Sequence, residues 1–535
     1  MTRRLIASAT ALAIASGWAL PASAQDAAAV QQELAAMRAE MARMAARIDT
    51  LEGQLVQARS AAETAQATAA SASQQAAALA AAPPPAPAAP AYEVKWKGAP
   101  ELSSKDGWSF KPRGRLHLDA GAVSHPGSYE NRNLGFNHRV RRVRLGAEGT
   151  MPGGFGYKAE VDFANSATSF GEVFVSYTPK TLPIQIRAGS FETLNGLEQI
   201  SSSNYVTFIE RAAMNDAFLN ARRLGAAVAW HSKDDDWRAE VGLFAGHAID
   251  GSFDNDGWIG AARLVYAPEA LGGQLHLGLN YQHREFASNN GGVASSGTNM
   301  VSTNQLARYR ARPNSQLTDV RFVDTGSFAA KSDRIIGLEA AGVFGPFHLA
   351  GEAQWLKADA YAAGDTATGL AAFTGGNTAV TPLGNPGFFA GYAELGWFIT
   401  GETRAYKRGD GTWARTKVRN PLSKGGPGAF QLATRFEYVD LDDDALKAGL
   451  TNNFTTGLAA AAPLATRLGR GGTQTSYLVA LNWLPSDYVR LMLNYGRIEV
   501  EGGPIAVLAR PGSTAPADRR RYGVDVLQTR IQLDF

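Results

Sequence analysis

Three spacings of apolar residues follow one another along the chain, and each predicts a different kind of element. Arg3 and Arg4 precede an apolar run from Leu5 to Leu20, closed by the small residues Ala22-Ser23-Ala24. That order predicts an export signal over 1–24, removed before Gln25. From Val30 the large apolar residues fall at Val30, Leu34, Met37, Met41, Met44, Ile48, Leu51 and Leu55, alternately four and three apart. A sustained period of 3.5 predicts a left-handed coiled coil over 25–81, because such a seam is buried only against partner helices. Beyond Leu55 the seam thins to alanines, and an Ala-rich spacer without fixed structure is the competing reading, most of all for 60–81. Pro83-Pro84-Pro85 through Pro90 ends the helix, and 82–110 reads as a stiff Pro-rich linker and lead-in.

From about residue 111 the period falls to two. Leu527, Ile531, Leu533 and Phe535 share one parity, and Arg530, Gln532 and Asp534 take the other. Sixteen such segments lie near 111–122, 138–150, 155–165, 170–179, 184–191, 222–231, 237–246, 258–266, 274–283, 334–344, 347–357, 388–400, 428–440, 474–484, 488–500 and 524–535. Their lengths suit tilted strands that cross a bilayer. The connections alternate between short turns and long loops, such as 192–221, 284–333, 358–387, 441–473 and 501–523. Only 401–427 is long where a short turn is due. Aromatic residues near strand ends, at Tyr177, Trp355, Trp397, Trp483 and Tyr488, read as interfacial girdles. The predicted fold is all-β, a 16-stranded antiparallel transmembrane β-barrel over 111–535 behind an α-helical coiled coil. A soluble sandwich also alternates, but it needs neither an export signal nor a two-length loop rhythm.

Composition narrows the function classes. Formal charge is +3 over 535 residues, and loss of the signal leaves 50 basic against 49 acidic side chains. That balance argues against nucleic acid as a partner, which needs a basic face. Zero Cys excludes thiol chemistry, disulfides and Cys-ligated metal. After the signal no apolar run reaches about 18 residues, so no membrane helix is expected. The eight His are scattered without an HExxH motif, and no GxSxG appears. No enzyme, cofactor or metal site is expected; His117, His276 and His348 read as wall residues.

With apolar parity toward lipid, the polar parity faces the lumen. It carries Arg113, Arg115, Arg142, Arg144, Lys158, Arg187, Arg223, Arg238, Arg263, Arg435, Arg490 and Arg530. Against them stand Asp119, Glu148, Glu160, Asp162, Glu172, Glu240, Glu339, Glu352, Glu394, Glu437 and Asp534. A mixed wall of this kind pairs across strands, so selectivity must come from what narrows the pore. Arg308, Arg310 and Arg312 share one face if 308–312 is extended. The connection 401–427 carries Arg404, Lys407, Arg408, Arg415, Lys417, Arg419 and Lys424 against Glu402 and Asp410, a net +5. A row of fixed cations in a pore favours anions and repels cations. A solvated basic loop is the plain alternative for both.

Arg141-Arg142-Val143-Arg144-Leu145-Gly146-Ala147-Glu148-Gly149, followed by Pro152-Gly153-Gly154-Phe155-Gly156-Tyr157-Lys158, resembles the phosphate-selective porin O and P family. So do Gly189 to Arg211, Arg222-Arg223-Leu224-Gly225, and Gly396 to Glu402 with Gly428 to Leu432. The resemblance runs in order over roughly 100–535. It implies a homotrimeric outer-membrane channel for small anions such as phosphate or polyphosphate. It also implies that 192–221, 284–333 and 401–427 fold into the lumen; Arg142, Arg144, Arg222 and Arg223 are candidate anion contacts by position and parity. The family uses lysines near the narrowest point, whereas 192–221 has no Lys and holds Glu192, Glu198, Glu210 and Asp216 against Arg211. Expected partners are other copies through the coil, membrane lipid, the barrel-assembly machinery through Phe535, and peptidoglycan within reach of the coil. A structural or adhesive trimer anchored by the barrel is the alternative function.

Overall fold

The computed structural model describes residues 24–81, 92–164, 168–246, 257–286, 306–360, 380–447, 450–451 and 471–535. Residues 1–23, most of the expected export signal, and the prolines of 82–91 lie outside the described residues. The chain divides into two units, 1–90 and 91–535.

The first unit holds a helix, α1, Ala24–Ala81, of 58 residues. Alanine at most positions keeps the backbone helical without side-chain entropy cost. At 1.5 Å per residue the helix is about 87 Å long. The side chains of Leu34, Met37, Met41, Met44, Ile48 and Leu51 lie outside the described residues. Leu55 is exposed on α1.

The second unit is built on a closed sheet of sixteen wall strands. They are β1 Ser109–Val123, β2 Gly135–Met151, β3 Phe155–Asp162, β4 Ser169–Tyr177, β5 Ile184–Glu192 and β6 Arg222–His231. Next come β7 Trp237–Ala245, β8 Trp258–Tyr266, β9 Gly273–Glu285, β10 Phe328–Phe344 and β11 Phe347–Ala360. The last five are β12 Gly387–Phe398, β13 Ala429–Asp440, β14 Thr473–Ser486, β15 Val489–Glu501 and β16 Arg521–Asp534. Each wall strand pairs antiparallel with the next, and β16 pairs with β1 to close the ring. All sixteen period-two segments are strands of this wall. A hairpin of Glu93–Trp96 and Pro100–Ser103 leads into β1.

Closure depends on a close approach at the seam. Gly114 and Phe535 exchange backbone hydrogen bonds of 3.1 and 3.0 Å. A Cβ at position 114 would lie 2.1 Å from the Phe535 ring, so the site takes glycine.

Alternation sorts the side chains. Along β15, Arg490, Met492 and Asn494 are buried toward the interior, and Leu493 and Tyr495 are exposed outward. The outward face is apolar, as contact with lipid requires. Its aromatic pairs include Phe347 with Trp397 and Phe430 with Trp483, both stacked at 6.0 Å. One irregularity alters the parity. In β2, Val140 pairs with Leu118 and Arg142 with His117, which leaves Arg141 as an extra residue. Such a bulge re-aims side chains, and Arg141 and Arg142 both bond interior groups.

Candidate functional site

Sixteen strands enclose more space than wall side chains can fill. The connection 193–221 enters that space. It is apolar at Leu197, Val206, Phe208, Ile209, Met214 and Phe218, all of them buried. Two short helices, α2 Leu197–Ile200 and α3 Ala213–Ala217, give it shape.

Its carboxylates are held by arginines of the wall. Arg435 on β13 donates to Glu198 and to Glu394 on β12, both at 2.5 Å, and to Glu437 at 3.3 Å. Arg530 on β16 donates to Asp119 on β1 at 2.6 Å and to Glu210 at 2.8 Å. Arg141 adds a second guanidinium to Glu210 at 3.0 Å. Arg490 donates to the carbonyls of Val206 and Thr207 at 2.6 and 3.0 Å. Burial raises the Glu210 carboxyl, but Arg141 and Arg530 outweigh it and hold it below the usual carboxylate range. Arg435 and Arg530 are almost wholly buried, so the charges they meet are worth far more than on a surface.

The segment 306–327 lies against the same loop. Tyr309 and Ala311 are buried while Arg308, Arg310 and Arg312 take the other parity, which gives the expected one-sided row. Arg308 pairs with Asp324 at 2.6 Å and Arg312 with Asp216 at 3.0 Å. Arg310 has no carboxylate partner among the described residues. Residues 287–305 lie outside them.

The long turn 399–428 also folds into the lumen. Arg404 reaches Glu394 at 2.9 Å and lies 3.7 Å over the Trp413 ring. Trp413 N–H donates to Ser201 Oγ of the inserted loop at 3.0 Å. Wall arginines hold the turn's backbone: Arg238 bonds the Gly409 carbonyl at 2.9 Å and Arg263 that of Gly411 at 3.0 Å. Gly411 has φ +62°, a conformation that glycine adopts without strain. Arg408 pairs with Asp236 and Glu269, and Arg415 with Asp534. Most of the turn's basic excess is therefore neutralised inside the barrel. Lys417 and Arg419 are exposed and have no ion pair among the described residues.

Between this turn, the loop and strands β1 to β6 lies a chamber of about 490 Å³. Its cations are Arg113, Arg115, Lys158, Arg187, Arg222, Lys407 and Arg415, and its carboxylates are Glu148, Glu160, Glu172 and Asp410. Seven face four on the lining, and Glu192 and Asp534 just outside it pair with Arg222 and Arg415, which leaves one cation in excess. Most of the lining comes from the short-turn ends of the strands, which face the periplasm in outer-membrane barrels.

The sequence-derived site residues are distributed unevenly. Arg222, Lys407 and Arg415 line the chamber. Arg142 is buried and donates to His117 at 3.3 Å. Arg144 is bound to Glu160 and Asp162 at 2.8 and 2.7 Å. Arg223 donates to the Gly246 carbonyl at 2.9 Å. Arg113, Arg115, Lys158 and Arg187 are chamber residues that parity places inside the wall without singling them out. Arg141 and Arg321 escaped the sequence reading. The first depends on the bulge, and the second pairs with Asp216 on a different connection, 105 residues away in sequence.

The family model described as phosphate-selective porin O and P matches residues 110–535. The chain belongs to that family. It is an outer-membrane porin of the Gram-negative type, a channel rather than an enzyme. The porin is 33% identical over 458 residues to an uncharacterised protein of Caulobacter vibrioides, covering 84% of this chain and 78% of that one. Porin O of Pseudomonas aeruginosa is 26% identical over 433 residues, covering 76% of this chain and 87% of that protein. Among solved structures, the anion-selective porin from Comamonas acidovorans gives a TM-score of 0.43 at 13% identity, covering 80% of this chain and 100% of that one.

The buried pairs set a stability prediction for the porin. Arg435→Met leaves Glu198, Glu394 and Glu437 without their shared guanidinium, a loss of about 3–5 kcal/mol for a broken buried pair. Equilibrium unfolding of the detergent-folded barrel should show a lowered midpoint. An unchanged midpoint would contradict the network's role.

Proposed function

We propose that this porin is a passive, anion-selective channel for small anions such as phosphate or polyphosphate. The observation that carries the reading is the chamber, whose lining has seven fixed cations against four carboxylates, and still one cation in excess once Glu192 on Arg222 and Asp534 on Arg415 are counted. In a narrow space of lowered dielectric, such an excess reduces the cost of a passing anion and raises that of a cation. The one-sided row of Arg308, Arg310 and Arg312 supports the same preference on the long-loop side. Lys417 and Arg419 add exposed charge on the turn. The name of the family and that of the Pseudomonas aeruginosa relative, Porin O, accord with this reading.

In the same reading residues 1–24 direct export, 25–81 form a periplasmic coiled coil, and 82–110 join it to the barrel of 111–535. The coil's seam, Leu34, Met37, Met41, Met44, Ile48, Leu51 and Leu55, draws three copies together. A helix of 58 residues is long enough to approach peptidoglycan. Phe535 at the closing strand is the address for the barrel-assembly machinery. A purely structural or adhesive trimer is the weaker reading, because a cationic chamber has no use in an anchor.

The zero-current potential of the purified protein in a planar bilayer under a KCl gradient tests selectivity. The sign for anion preference is expected, and a cation-selective or null potential contradicts the reading. Deleting 25–91 should lower trimer stability and weaken the envelope; no change in either would remove the stalk role.

A further inference from the structure

Six of the seven chamber cations already have a carboxylate. Arg113 pairs with Glu148, Lys158 with Glu172 and Arg415 with Asp534. Arg115 lies 3.6 Å from Glu160, Arg222 2.7 Å from Glu192 and Lys407 2.5 Å from Asp410. Arg187 is the exception among the described residues. It enters from β5, and its one hydrogen bond is a long 3.4 Å contact from Nη2 to Gln185 Oε1. Its Nε is buried without an acceptor, which is costly for a charged group unless something else supplies one.

What holds Arg187 in place is aromatic. Its guanidinium lies over the Phe174 ring at 5.1 Å and over the Phe191 ring at 4.9 Å. Those rings meet edge to face at 6.2 Å, and Phe191 packs in turn on Phe244 at 5.2 Å. Cation–π contact with two rings fixes the plane of the guanidinium without consuming its N–H donors. The result is a guanidinium held in one plane on the chamber wall, with Nη1 unbonded among the described residues and Nη2 in only a long contact.

We propose that Arg187, fixed on the rings of Phe174 and Phe191, is the residue at which the channel docks polyatomic oxyanions and distinguishes them from halides. A planar fork matches two oxygens of a phosphate or carboxylate group, whereas a spherical halide can engage it with only one centre. Lys158 and Arg222 line the same chamber. The inference rests on the anion-channel reading and adds to it the residue that sets the class of anion.

The test uses the full-length porin in planar bilayers, with inorganic phosphate added to a chloride current. Phosphate should block the wild-type current. Arg187→Lys, which keeps the charge and removes the fork, should raise the half-blocking concentration by about tenfold while the potential keeps its anion-selective sign. Phe174→Leu, which keeps the guanidinium but frees it to move, should shift block in the same direction by less. Lys105→Gln, exposed in the lead-in before β1, should leave block unchanged. Equal block in wild type and Arg187→Lys overturns the proposal. So does an anion-selective wild type that phosphate does not block, although the channel reading then survives. A cation-selective wild type overturns both.

Discussion

Charge pairing across the lumen is the constraint on which the rest of this structure depends. A wall of alternating residues must turn its polar parity inward, and that parity carries arginines too deeply placed to be left to water. Arg435 and Arg530 pair with Glu394 and Asp119 of the wall, and the connection 193–221 brings Glu198 and Glu210 to the same two guanidinium groups. The loop, in turn, would not enter a polar lumen on its apolar residues alone. The loop depends on the wall: removing Arg435, or Arg530 with Arg141, leaves Glu198 or Glu210 buried without its ion pair. The turn 399–428 is held by the same means, through Arg238, Arg263 and Glu394.

This arrangement explains why an acidic loop and an anion pathway are compatible. Four carboxylates in 192–221 look unfavourable for anions when read as free charges. In the folded barrel Glu192, Glu198, Glu210 and Asp216 are matched by Arg222, Arg435, Arg530 with Arg141, and Arg312 with Arg321. They are spent on anchoring. The charge left over in the chamber is that of Arg187, the one lining cation without a carboxylate partner among the described residues. Selectivity is thus a residue of the pairing and cannot be read from the total of either sign.

Much of the wall was legible because its pattern is local. A period of two and a rhythm of short and long connections are carried by neighbours in sequence, and the segments predicted at 258–266 and 237–246 differ little or not at all from Trp258–Tyr266 and Trp237–Ala245. Inward parity likewise marked Arg435, Arg490 and Arg530. Partner choice was not legible, since Arg435 and Glu198 lie 237 residues apart and no spacing rule joins them. The bulge at Arg141 was hidden for a related reason: it is a property of two strands in register. Arg308, Arg310 and Arg312 alternate with the buried Tyr309 and Ala311, but Asp324 and Asp216, which neutralise two of the three, could not be foreseen.

The most direct measurement of the central claim is the sign of the field in the chamber. The chain has no Cys, so Ser202→Cys places a unique thiol on the chamber lining. Its modification rates by a negatively and a positively charged methanethiosulfonate of similar size can be compared in the folded barrel. If wall arginines neutralise the inserted loop and leave a cationic surplus, the anionic reagent should react about tenfold faster. Equal rates, or a faster cationic reagent, would show that the loop's carboxylates still dominate the lumen and would contradict the account.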